Sequence, residues 1–335
     1  MNLTNLSSKI SSISKSKPSS KSKYRREKED YNRIDRFEIS RAKSIESSTS
    51  TSSSATSSSL SLLSEVKRKS QSKSEREMIE TDPKTISPGQ DGLGVFDRKL
   101  YNRLYYLSQT ISVLLLILIL IWVYNYLNGF GFDDPSQTFN YHPMFMFIGF
   151  ILIYSNAILI YRSFRLELKQ KLKIWHASMN AIAMIIAFFG SVSVIYFHHK
   201  MNITHFYSLH SWLGISTWSL FILQFITGFT AFLFPTASFG LRKMLMPYHR
   251  YVGVCTFVLA SATCLTGLNE KAIFAFKNPA YSSLAMNGIL TNSIGLLLCI
   301  YCSLVVFLVT KIEYQRKPLP EEQVINLSFD LISNN

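Results

Sequence analysis

Residues 142–161 read HPMFMFIGFILIYSNAILIY, an opening imidazole followed by nineteen positions with no acidic or basic side chain. At a rise of about 1.5 Å per residue, a helix of this length matches the ~30 Å hydrocarbon core of a bilayer. Backbone polar groups find no water at that depth, so the segment is predicted to be helical. Comparable apolar runs recur outward from it at 104–127, 174–197, 208–234, 249–268 and 288–310. The predicted fold is an all-α integral membrane protein with six transmembrane helices, spans two to five forming a four-helix core.

Composition points the same way. The 335 residues are 47% hydrophobic and only 17% charged, whereas soluble domains carry about a quarter charged residues. Residues 1–100 hold 20 of the 35 Lys+Arg and 13 of the 21 Asp+Glu. The shortage of charge therefore lies in the remainder, which excludes a single soluble enzyme and a disulfide-stapled secreted module. Residues 1–95 contain 26 serines and few large apolar side chains. Such a segment buries too little surface to offset chain entropy and is predicted to be a disordered cytosolic tail. The chain thus divides into three regions: the tail at 1–95, a transmembrane domain at 96–312 and a short cytosolic tail at 313–335. Met1 does not lead into a charged and then an apolar region, so no cleaved signal peptide is expected. Cys255, Cys264, Cys299 and Cys302 sit in apolar runs and read as small fillers, the Cys299-x-x-Cys302 pair included. The net charge of +14 is spread along the chain, which suits a membrane surface and argues against nucleic acid as a partner.

Loop charges set the predicted orientation. The second loop carries Arg162, Arg165, Lys169, Lys171 and Lys173, and the fourth carries Arg242 and Lys243. The first has no Lys or Arg. The positive-inside rule places loops two and four and both termini in the cytosol. The sequon Asn202-Ile-Thr204 then faces the other side, as glycosylation requires.

Four of the seven histidines are predicted to open spans: His142, His176, His210 and His249, at intervals of 34, 34 and 39 residues. Successive spans run in opposite directions, so alternate histidines share a side: His142 with His210, and His176 with His249. Ionisable residues inside spans are costly and usually functional, and paired neutral imidazoles suit a metal ion or haem iron. A metal transporter would also want carboxylates in its spans, and Glu270 at an edge is the one these runs contain. Two imidazoles without a third ligand fit an iron whose equatorial positions come from a porphyrin. With both axial positions filled, outer-sphere electron transfer is the chemistry left. Phe150, Phe188, Phe189, Trp218 and Phe225 are predicted to fill space around or between two such centres. Glycines at 149, 190, 214, 228, 253 and 267 suit close approach of a flat group or of neighbouring helices.

The stretch from Tyr141 to Lys271 also resembles the cytochrome b561 family of ascorbate-reducible transmembrane di-haem cytochromes. The motifs are YHPMFMFIGF (141–150), AILIYRSFR (157–165), KQKLKIWH (169–176), FYSLHSWLG (206–214), TGFTAFLFP (227–235), SFGLRKMLMPYH (238–249) and TGLNEKA (266–272). The resemblance implies two haem b groups, His142 and His210 ligating the non-cytosolic one and His176 and His249 the cytosolic one. Arg162 and Lys169 match positions at the periphery of the cytosolic haem; His205, Phe206, Tyr207, Ser208 and Glu270 match positions around the other. Lys169, Lys173 and Arg242 match cytosolic ascorbate-binding positions, and His198 a non-cytosolic substrate position. His205 departs from the acidic or amide residue expected there. The implied function is a transmembrane ascorbate-dependent reductase passing electrons to monodehydroascorbate or a ferric chelate, as a homodimer in a lipid bilayer. The alternatives are a ferric or cupric reductase with another donor and a His-lined metal-ion transporter. His199 and His205, beside His198, are a further candidate pair for a ferric or cupric ion.

Overall fold

The computed structural model describes residues 93–234, 237–319 and 322. The predicted serine-rich tail lies outside the described residues up to position 92, as does most of the stretch beyond 319. The described residues contain six helices long and apolar enough to cross a membrane. Helix α1 is Val95–Tyr126. The second span is compound: a short α2 at Pro135–Phe139, α3 at Tyr141–Met146, a π-helical stretch at Phe147–Ile153 and α4 at Tyr154–Ser163. Then come α5 at Lys169–Lys200, α6 at Leu209–Phe232, α7 at Phe239–Ala275 and α8 at Met286–Thr310. Named strands are absent among the described residues.

Most of the spans start earlier than the apolar runs suggest. Helix α5 begins at Lys169 and α7 at Phe239, so His176 and His249 lie within helices and do not open them. Ser238 caps α7 by accepting from the Leu241 N–H at 3.4 Å, and the helix runs on through Gly240 and Pro247 to His249. His142 and His210 stand second in α3 and α6.

Small residues set how closely spans two and three approach. Ala183, Ala187 and Gly190 lie on the buried stripe of α5, and a Cβ built on Gly149 would meet the Ala183 carbonyl oxygen at 2.8 Å. Phe188 and Phe189 project off that stripe and are 56% and 55% exposed. The expectation that they fill interior space is therefore corrected: one residue past Ala187, a helix of 3.6 residues per turn has rotated away from the core. The π-helical stretch adds residues to the turns of span two and so rotates α4 relative to α3. It lets this span contribute both His142 near one end and the Ala157 carbonyl near the other.

Helices α1 and α8 pack together through Leu115, Ile119 and Trp122 with Ile294, Leu298 and Tyr301, all buried. Tyr301 is tied to span two by a 2.6 Å hydrogen bond between its hydroxyl and Ser155 Oγ. The segment after α8 is docked, not trailing. Tyr314 is fully buried, Arg165 donates to its carbonyl oxygen, and Arg316 donates to the carbonyl oxygens of Arg165 at 3.1 Å and Glu167 at 2.8 Å. All four cysteines are free.

Candidate functional site

The four span histidines meet in two pairs. The rings of His142 and His210 have centroids 6.0 Å apart and planes at 85°. Those of His176 and His249 are 6.2 Å apart at 71°. A metal–imidazole bond is about 2.0–2.1 Å, and a ring adds about 1 Å from nitrogen to centre. One metal between two imidazoles therefore sets centroids about 6 Å apart, the spacing seen at both pairs.

Three of the rings are oriented by backbone. The Nδ1 atoms of His142, His210 and His176 lie 3.0, 3.0 and 2.7 Å from the carbonyl oxygens of Gly190, Thr263 and Ala157. A carbonyl only accepts, so Nδ1 carries the proton and donates. Nε2 is left with its lone pair, the tautomer a metal needs. His249 is fixed differently. Its ring lies against Phe232 at 5.1 Å, and Gln224 Nε2 donates to its backbone carbonyl. Two glycines make room for the imidazoles. A Cβ on Gly267 would stand 2.7 Å from His210 Cε1, and one on Gly228 would stand 2.8 Å from His249 Cε1.

Aromatic rings lie in contact through the interior between the pairs. Phe150 sits 5.0 Å from Trp218 and 5.0 Å from Phe221; Tyr154 sits 5.0 Å from Phe221 and 6.0 Å from Phe257. Phe150 and Trp218 were expected here; Phe225 instead stacks on Phe229 at 6.3 Å.

The His142–His210 pair opens on a cavity of about 600 Å³, whose walls include His198, His205, Phe150, Trp218 and Lys271. Helices α1 and α8 contribute Trp122 and Leu298 to it, so the enclosure extends beyond the expected four-helix core. Volume and lining fit a large, flat, mostly apolar group. A neighbouring hollow of about 450 Å³ brings Tyr207, Ser208, His210 and Glu270 together. The Tyr207 hydroxyl donates to Glu270 Oε1 at 3.5 Å, and Tyr207 is raised above its ordinary pKa by desolvation and that carboxylate. Phe206 takes a left-handed φ of 58°, and its carbonyl accepts from Trp212 Nε1 at 3.0 Å. His205 stacks on His198, centroids 5.2 Å apart. Among the described residues, no three His, Cys, Asp or Glu side chains group to hold a bare metal ion.

At the opposite end, Lys169 at the start of α5 has Glu322, Arg316, Arg250 and Arg242 within electrostatic reach. Glu322 accepts from the Lys169 N–H at 2.8 Å and from Arg316 Nη2 at 2.7 Å. Burial works to raise its pKa, but these bonds and the Leu319 N–H outweigh it and hold the carboxyl below its ordinary value. Arg162 donates to the Lys311 carbonyl at the end of α8. Lys173 lies one turn on from Lys169, and Arg242 stands in the first turn of α7 with a buried Nε.

Sequence reasoning missed Lys271, the ring-facing roles of Gly228 and Gly267, and the three orienting carbonyls. Glycine spacing hints at the second; nothing in the sequence marks the third, since every residue carries a carbonyl.

A family profile described as eukaryotic cytochrome b561 matches residues 141–275. The transmembrane ascorbate-dependent reductase CYB561 of Bos taurus is 36% identical over 231 residues, covering 68% of this chain and 91% of that protein. The Homo sapiens protein of the same name is also 36% identical over 231 residues, with the same coverage. The plasma membrane ascorbate-dependent reductase CYBRD1 of Rattus norvegicus is 38% identical over 213 residues, 63% of this chain and 74% of that protein.

Proposed function

The chain belongs to the eukaryotic cytochrome b561 family, and from that premise we propose that it carries electrons across a membrane from ascorbate through two bis-histidine haem b centres. It is a multi-pass membrane protein and an oxidoreductase, as its six spans and relatives imply. The observation that carries the two-centre reading is the pairing of four imidazoles at 6.0 and 6.2 Å.

Bound haem would supply a one-electron iron couple, and with two imidazoles committed to each group the chemistry left to it would be electron transfer. The chain's own residues do the rest. His142 and His210 hold one group and His176 and His249 the other, the backbone carbonyls keeping Nε2 of three rings free to bind. Gly228 and Gly267 admit the rings, and Phe150, Trp218, Phe221 and Tyr154 keep the space between the pairs dry. Arg162 and Lys169 border the haem of the basic end. Lys169, Lys173 and Arg242 raise the local concentration of ascorbate, an anion at neutral pH. That end faces the cytosol by the positive-inside rule. On the far side His205, Phe206, Tyr207, Ser208 and Glu270 line the second haem, and His198 meets the acceptor. The acceptor is monodehydroascorbate or a ferric chelate, and the working unit is a homodimer.

The test is to purify the full chain, count haem per chain, and reconstitute it into vesicles loaded with ascorbate. Two b-type haems per chain and reduction of an impermeant ferric acceptor outside are expected. One haem, or no reduction across the bilayer, overturns the reading.

A further inference from the structure

Among the described residues, Lys271 is the one amine that lines the cavity beside His142 and His210. Its Nζ stands 4.0 Å from the centre of the Phe139 ring and 5.9 Å from that of Phe197. The Phe139 ring in turn lies 5.8 Å from the His142 ring, and His142 is within electrostatic reach of Lys271. Among the described residues, no carboxylate lies within ion-pair distance of this amine. Glu270, its chain neighbour, turns to Tyr207. The faces of two aromatic rings are a favourable seat for an ammonium, and screening by water and salt is weak away from solvent.

We propose that Lys271 is a positioning residue for charge: it fixes a cation beside the His142–His210 centre and raises that centre's reduction potential. The inference rests on the bis-histidine reading of this pair. Adding an electron to a centre makes it less positive by one unit, so a nearby fixed cation favours the reduced form. The need for such a cation lies in the asymmetry of the bundle. Arg162, Lys169, Arg242, Arg250 and Arg316 gather around the His176–His249 end and favour an electron resting there. Lys271 offsets that bias and makes onward transfer to the far centre less uphill.

The experiment is an optical redox titration of the full-length, haem-loaded protein, with Lys271→Gln, Lys271→Met and Lys271→Arg alongside. The component belonging to this centre is the one missing in His142→Ala. In the Gln and Met variants that component is expected to lose about tenfold in its reduced-to-oxidised ratio at a given ambient potential, about 59 mV lower for a one-electron couple. The other component stays put, and Lys271→Arg restores the wild-type curve. Unchanged potentials, or an equal fall in both components, overturn the proposal. Haem loss from both the Gln and Met variants, with the Arg variant loaded, also overturns it, because Lys271 would then hold the group and not tune it. Fewer than two haems in the wild-type protein would instead strike the bis-histidine reading and remove this inference with it.

Discussion

The two ends of the bundle hold the same pair of imidazoles in different surroundings. Around His176 and His249 the charges are many, partly exposed and crossed by Arg316–Glu322 contacts. Around His142 and His210 they are few: one enclosed amine, one carboxylate and two stacked histidines, His198 at the end of α5 and His205 in the loop after it. The difference teaches that ring placement and charge are assigned to separate residues here. Backbone carbonyls and glycines, which carry no net charge, fix three of the rings. The surrounding side chains are thus free to differ, many cations at one end and a largely apolar enclosure at the other.

The strongest way to break this comparison is to remove one ligand from each end. His176→Ala is expected to abolish the centre at the basic end, spare the other and stop transfer across the bilayer. His142→Ala is expected to do the converse. Haem counts and low-temperature spectra check this, and equal loss of both centres from either variant would show that the pairs are not independent. Next in size, Gly267→Ala places a methyl group against His210 and Gly228→Ala one against His249. Each is expected to cost about 1–3 kcal/mol of local packing and to weaken haem retention at its own end alone, read from the spectra after mild heating.

Charge removal sharpens the contrast. Lys173→Ala with Arg242→Ala is expected to slow reduction by ascorbate about tenfold while leaving reduction by dithionite within about twofold, by loss of local anion concentration. Stopped-flow traces with both reductants decide it, and equal slowing would count against an anion-collecting role. The smallest effect is at the docked segment after α8. Glu322→Gln is expected to cost within about 1 kcal/mol, seen as faster tryptic cutting after Arg316 with unchanged haem spectra. Because the folded carboxyl is held below its ordinary value, its contribution is complete above about pH 4.3 and fades as pH falls through the lower folded value. Amide hydrogen exchange of the docked segment measured down that range should converge for the two proteins.

Much of the candidate site was legible because its signals are chemical and spaced by whole crossings. A histidine at the head of an uncharged run is conspicuous, and alternation of direction pairs 142 with 210 and 176 with 249 by arithmetic. The interior aromatics were half legible. Phe150 and Trp218 face inward, but Phe188 and Phe189 turn out, since an apolar run gives no sign of which face meets protein and which meets lipid. Lys271 was illegible for the opposite reason: beside Glu270 it looks like an ordinary charge at a span edge.

The sequence by itself determined that there are six crossings, that loops two and four share a side, and which histidines belong together. Those follow from hydrocarbon thickness and chain direction, which need no knowledge of packing. Only the tertiary structure decided the ring spacings of 6.0 and 6.2 Å, the protonated nitrogen on three of the rings, and the amine seated on Phe139. Each of these depends on how helices rotate and approach one another. Rotation is set by small residues and a π-helical turn acting together, and no single stretch of sequence encodes it.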